Sequence, residues 1–352
     1  MSVWWRDALG GVALVAVLIS LRVVHSPASV RTGGLVKIER TMMGTLWTIE
    51  VADHGQPEPA RAAIESAYRE LDRIDHLMSE WRPDSPISAV DAAAGQHAVE
   101  VPAELRALIE RSIHYSQITQ GTFDITWRGM GSLWHFDASF VPPTDAQIDA
   151  ARKRIDYRKI QIDGNKIYLP AGMNIGLGGI AKGYAIDRAG AVLRAAGFDD
   201  WFVDGGGDVL VHGTRNGTPW TVGIQDPRAE HGVLLGVVRL KDAALASSGD
   251  YERYRIVDGV RYHHIIDPRT GRPASASIAV TVMAPTAEQG VVLDKGVFIL
   301  GPAEGMALAR KEGVEALSID PAQRRYTTPG FARVFETDSP VNTAHNAAER
   351  GR

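Results

Sequence analysis

Runs of adjacent strands with helices set among them predict an α+β fold of mixed, largely antiparallel sheets with packed helices. Two observations carry this. From Lys166 onward the order reads strand, glycine turn, helix, strand, glycine turn, strand. After Asp204, the glycines at 205–207 return the chain into Val209-Leu-Val-His212 as a hairpin would, not into a second helix. The chain is long enough for one large domain or two ordinary ones with a substantial core.

The elements follow in order. Met43-Gly44-Thr45 opens a first strand that alternates to Val51. Ile64, Ala67, Leu71, Ile74 and Met78 fall on one helical face, and Pro83, Ser85, Pro86 and Ser88 mark the loop behind it. Leu105, Leu108, Ile109 and Ile113 define a second helix. An irregular stretch then runs from Phe123 to Trp134, combining Trp127 and Trp134 with Gly129 and Gly131. A further helix carries Ile186, Ala189, Leu193 and Ala196 and stops at Gly197. Residues 220–226, 233–240 and 278–283 read as strands. Pro285-Thr286 opens another helix, with Gln289 at capping-box spacing from Thr286. Residues 338–352 form a loose polar tail.

A net charge of −4 and the lack of any Lys/Arg block argue against a nucleic-acid partner. The chain has no cysteine, which excludes disulfides, thiolate metal sites and a cysteine nucleophile. At the N-terminus, Arg6 precedes an apolar run from Ala8 to Leu21, followed by Arg22 and His25-Ser-Pro-Ala-Ser29. The run is shorter than a relaxed span of about 20 residues and suits a signal-peptide core. Val23 and Val24 extend it, so residues 1–30 read as a signal peptide or an N-terminal membrane anchor. The expected location is the bacterial periplasm or the periplasmic face of the inner membrane.

Two local patterns carry chemistry. Gly176-Leu-Gly178-Gly179-Ile-Ala181 fits a dinucleotide fingerprint, but Pro170-Ala-Gly interrupts the strand that should precede it, and the hairpin after Asp204 breaks the βαβ unit. What survives is a glycine entrance to a helix, where backbone N–H groups and Lys182 favour a phosphate. Packing of helix on sheet explains the same glycines equally well. The second pattern is Tyr262-His-His-Ile-Ile-Asp-Pro-Arg-Thr-Gly271. Asp-Pro forces an extended-then-turn geometry, and a strand would point His263 and His264 to opposite faces.

Together with these, Val203-Asp-Gly-Gly-Gly-Asp208, Ser247-Ser-Gly-Asp-Tyr-Glu-Arg-Tyr254, Met43-Gly44-Thr45 and Phe123-Asp-Ile-Thr126 resemble the landmarks of the ApbE family in the right order. The resemblance covers roughly residues 40 to 335, within an expected domain of residues 36–337. It implies an ApbE-like exported FAD:protein FMN transferase that cleaves FAD with Mg²⁺. FMN passes to a threonine or serine of an acceptor flavoprotein, and AMP is released. By the same resemblance, His264 is the catalytic base and His263 its structural partner. Asp267 and Arg269 either orient that base or pair to hold the turn. Met43, Gly178, Gly179, Lys182, Asp187, Gly206, Ser248, Gly249, Asp250, His263 and Ile266 are the expected flavin and phosphate contacts. Asp187 has the alternative of capping structure locally, and Trp127 and Trp134 either stack on flavin or pack in the core.

One departure stands out. The family places metal-binding Asp and Thr four residues apart on the helix after Ala284-Pro-Thr-Ala287, joined by a backbone carbonyl, here that of Ala181. This chain has Val291 and Lys295 there. Asp294 lies about 60° round the helix from Val291, so it offers a shifted metal ligand. Alternatively, Lys295 supplies a permanent cation, or the two form an exposed local pair. Two other functions therefore stay open: an FAD pyrophosphatase, and a non-catalytic FAD-binding carrier.

Overall fold

The computed structural model describes residues 34–337. The expected N-terminal segment 1–30 and the tail 338–352 lie outside the described residues. At the centre is an eight-stranded sheet: β1 (Leu35–Met42), β2 (Thr45–Ala52), β3 (Trp201–Gly205), β4 (Val209–His212), β5 (Ala243–Gly249), β6 (Ala279–Ala284), β7 (Glu315–Ile319) and β8 (Arg325–Thr327). Its spatial order is the chain order, and every neighbouring pair is antiparallel. The expected antiparallel character is therefore seen throughout this sheet.

The sequence reading starts the first strand at Met43, and here the structure differs. β1 ends at Met42, and Met43 and Gly44 form a hairpin turn with φ of 50° and 75°. Positive φ at both central residues is what a type I′ turn requires. β1 escapes the pattern because Lys37, Glu39, Arg40 and Thr41 leave it with little apolar signal, Val36 being its one buried residue.

Four long helices matter for the site: α1 (Pro57–Met78), α2 (Ala103–Ile118), α3 (Ala181–Ala195) and α4 (Ala287–Lys311). α1 packs on β1 and β2, α3 on β3 and β4, and α4 on β5, β6 and β7. The predicted face of α1 is the buried one, with Ile64, Ala67, Leu71, Ile74 and Met78 all inside. α3 ends as expected at Gly197, whose φ of 86° lets Phe198 N–H reach Leu193 C=O at 3.2 Å and Gly197 N–H reach Arg194 C=O at 2.9 Å. At the start of α4, Thr286 accepts from Gln289 N–H at 3.2 Å, but the Gln289 side chain turns to Glu312, so the box is half formed.

Strand residues alternate between two covered faces. Trp201 and Val203 point into the helical core, whereas Phe202 points the other way, towards Trp220, Val238 and Phe331. That second face is covered by a three-stranded sheet of Trp220–Gln225, Leu234–Leu240 and Phe335–Glu336. A smaller apolar cluster, with Met130, Trp134, Phe140 and Ile148, supports the histidine hairpin. No helix among the described residues is long and apolar enough to cross a membrane.

Candidate functional site

The glycine entrance to α3 is held in place by acids far away in the chain. Leu177 N–H donates to Glu80 at 2.7 Å and Ile175 N–H to Asp91 at 2.8 Å. Arg128 lies 3.1 Å from Glu80 and 3.6 Å from Asp91, offsetting their charge. Sequence reasoning missed these residues because Glu80 sits 97 positions from its partner, so no local spacing signals it. α3 then begins at Ala181 without a side-chain cap, and Lys182 stands in its first turn.

From Lys182 a string of contacts runs round this entrance. Its ammonium pairs with Asp208 at 3.3 Å. Asp208 also faces Ser247 N–H at 3.4 Å, and the next residue, Ser248, donates through its hydroxyl to Asp294 at 3.0 Å. Asp294 pairs with Lys295 at 3.1 Å. The Lys295 side chain returns to the start: its Cδ lies 3.9 Å from where a Cβ on Gly179 would stand. Gly178, Gly179, Lys182, Ser248 and Asp294 are thereby brought together, with Asp208 added to them. Asp208 closes the Val203–Asp208 motif, and that position was its available signal.

Burial dominates the acids here. Asp204 is pushed up to about 7 by desolvation and by the neighbouring Asp208 charge, against a hydrogen bond from Gly207 N–H. Desolvation raises Asp294 to about 6, with Lys295 opposing it. Asp294 is fully buried, so the expected exposed pair is instead a buried carboxylate under a half-exposed lysine.

The two histidines diverge as a strand end dictates. His263 is buried, accepts from Ile265 N–H at 3.3 Å through Nδ1 and lies 2.7 Å from Ala274 C=O through Nε2. These partners make Nε2 the protonated nitrogen. With both nitrogens engaged and Phe298 edge-on at 5.8 Å, the His263 ring is committed to the hairpin and offers no nitrogen to a flavin. His264 reaches solvent at one edge, yet protein packs closely round its ring, which meets the Arg253 backbone. That desolvation, then the positive charges of Arg253 and Lys295, hold its pKa well below the ordinary imidazole value. The ring is thus neutral at pH 7 and able to accept a proton. The reach of the Lys295 charge also ties His264 electrostatically to the Gly179 side of the site.

Other expected contacts are engaged elsewhere. Asp187 takes its capping alternative, accepting from Ala287 N–H at 2.8 Å and Glu288 N–H at 2.9 Å at the start of α4. Asp250 is held by a two-pronged bond from Arg228 at 2.7 and 2.8 Å. A Cβ on Gly249 would stand 2.2 Å from the Tyr251 ring, so Gly249 seats that ring. Ile266 packs on the cluster around Trp134, whose own N–H donates to Gly271 C=O at 3.1 Å. Asp267 and Arg269 pair at 2.9 Å and hold the turn. A Cβ on Gly206 would collide with Thr45, the first residue after the Met43-Gly44 turn. The Thr45 hydroxyl is buried there without a partner.

Magnesium demands oxygen donors in near-octahedral geometry, and the family positions do not supply them. Val291 is an isopropyl group packed against α3, 2.6 Å from where a Cβ on Gly183 would stand. Lys295 is itself a cation, hydrogen-bonded to Val291 C=O and to Asp294. Both Asp294 oxygens already have partners. Among the described residues, no cluster of three or more His, Cys, Asp or Glu is arranged to hold a metal.

This arrangement of sheet, glycine entrance and histidine hairpin has relatives. The ApbE family's sequence profile matches residues 43–318. The FAD:protein FMN transferase of Treponema pallidum is 33% identical over 350 residues, covering 94% of each chain. Among solved structures, the ApbE protein of Thermotoga maritima superposes with a TM-score of 0.79 at 30% identity, over 86% of this chain and 99% of that one. The flavin transferase ApbE of Vibrio cholerae gives 0.77 at 28%, over 85% and 99%. A profile spanning the sheet and both site motifs, joined to a superposition over nearly the whole of each solved relative, leaves one assignment: this chain belongs to the ApbE family.

Proposed function

We propose that the chain is an FAD:protein FMN transferase that moves FMN from FAD to a threonine or serine hydroxyl of an acceptor flavoprotein. The observation that carries this is Lys295, whose side chain lies against Gly179 at the α3 entrance while its charge reaches the neutral ring of His264. The names of its relatives support it further. In the reaction, the acceptor hydroxyl oxygen bonds to the flavin-side phosphorus of FAD, the bridging P–O bond breaks, and AMP leaves with the electron pair. His264 takes the hydroxyl proton. Lys182 faces the charge that collects on the departing phosphate. His263 and the Asp267–Arg269 turn keep the hairpin in register.

The resemblance brings with it a role for Mg²⁺, which would offset pyrophosphate charge. The donors around Asp294 do not suit it, and no step above uses it. The apolar run and flanking arginines of residues 1–30 support export to the periplasm, cleaved or anchored, which a reporter fused after Ser29 would test by its periplasmic activity.

The direct test incubates the protein with FAD and a threonine-bearing acceptor. The acceptor should gain the mass of one FMN less water while AMP appears in equal amount. Free FMN and AMP without acceptor would favour the pyrophosphatase, and bound but intact FAD the carrier.

A further inference from the structure

We propose that the Lys295 ammonium serves as a built-in cation where the family resemblance implies a divalent ion, so that this protein works on the FAD pyrophosphate without a metal. The inference rests on the reading above. Four observations converge on it. First, Lys295 reaches back one turn to donate to Val291 C=O, so its charge lies over the very residue that should have been an acid. Second, an ammonium has three donors, and Val291 C=O and Asp294 take two of them. The third remains, on a side chain 30% exposed and next to Gly179. Third, Val291 is buried against α3, which fills the adjoining space with methyl groups. A dication placed there would meet no oxygen from that side chain and would face the ammonium at close range, where like charges repel strongly. Fourth, the same positive charge reaches His264 and helps to keep it unprotonated.

The pair is built to hold its cation. Asp294 is fully buried, anchored by Ser248, and offsets the cost of keeping the lysine there. Lys182, paired with Asp208, and Lys295, paired with Asp294, both stand at the entrance to α3, each with donors left for a pyrophosphate oxygen. As the bridging oxygen leaves with AMP, its electron pair meets a fixed cation with no change in coordination. The proton from the acceptor hydroxyl goes to His264, and no other reactant is needed.

The test measures AMP release from FAD in excess EDTA and in excess Mg²⁺, with the acceptor present. Equal rates are expected, and abolition by EDTA with rescue by Mg²⁺ overturns the proposal. Lys295→Met, and Lys295→Met with Asp294→Asn to avoid a stranded buried carboxylate, should each weaken FAD binding roughly 10- to 100-fold, the loss of one charge-assisted contact. Riboflavin, which has no phosphate, should bind as before. Equal losses for both ligands would reduce Lys295 to a structural role and overturn the proposal. If AMP release is absent in every condition, the transferase reading fails. FAD binding by quenching of flavin fluorescence then decides separately. Metal-independent affinity that drops in the lysine variants upholds the built-in cation, and affinity that rises with Mg²⁺ in the native protein refutes it. Val291→Asp with Lys295→Thr should convert FAD binding to Mg²⁺ dependence, and unchanged metal independence in that variant also counts as refutation.

Discussion

An imidazole accepts a proton only while neutral, and the surroundings of His264 decide the pH at which that holds. Its pKa is lowered, so the base is lost only as pH falls well below the ordinary 6.5. The acid limb of kcat/KM for AMP release should therefore lie below pH 6.5, and His264→Ala should reduce the rate roughly 100- to 10,000-fold. Asp204 offers a second titration with the opposite consequence. Folding raises its pKa from 3.8 to about 7, so the folded chain holds that proton more tightly. Its contribution to stability is full below pH 3.8 and is lost as pH climbs towards 7. Asp204→Asn keeps an acceptor for Gly207 N–H and removes the loss. Its urea midpoint should gain on that of the native protein between about pH 5 and about pH 8.

Between elements, the contact of α3 with α4 governs the site, because each helix entrance carries part of it. Gly183 allows the approach, since a Cβ there would stand 2.5 Å from Ala287 C=O and 2.6 Å from a Val291 methyl. Gly183→Ala should lower stability by about 1–3 kcal/mol through forced separation, read as a reduced denaturation midpoint. Asp187→Ala, which strips the α4 entrance of its remote cap, should cost about 0.5–2 kcal/mol. Such contacts explain what could be read in advance. Helices with a strict apolar stripe, such as α1, and stops with a glycine, such as Gly197, write themselves into a few adjacent residues. The motif series around His264 and Lys182 is local in the same way, and it carried the family resemblance. Asp187 bridging 100 positions to α4, Glu80 bridging 97 to Leu177 and Arg228 reaching Asp250 were not, because the partner is chosen by the fold and not by spacing. β1 was hidden for another reason: an edge strand with charges facing solvent resembles a loop.

At the scale of the molecule, two covered faces make the central sheet dependent on both of its coats. The second coat closes late in the chain, where Phe335–Glu336 pairs with Leu234–Leu240 and the Phe335 ring lies over Gly236. A chain ending at Val334 should unfold about 1–3 kcal/mol more readily, mostly from the lost Phe335 burial. The exposed Arg239–Glu336 pair contributes little to that difference. The eight strands, each laid beside its predecessor, have a further consequence. A polypeptide growing from its first residue can add every new ribbon at a free border, with nothing wedged between ribbons already joined. The excursions that bear Lys182 and His264 leave from those borders and return to them. They can lengthen or shorten across evolution while the scaffold stays intact, which lets these segments adapt to new client proteins at small structural risk.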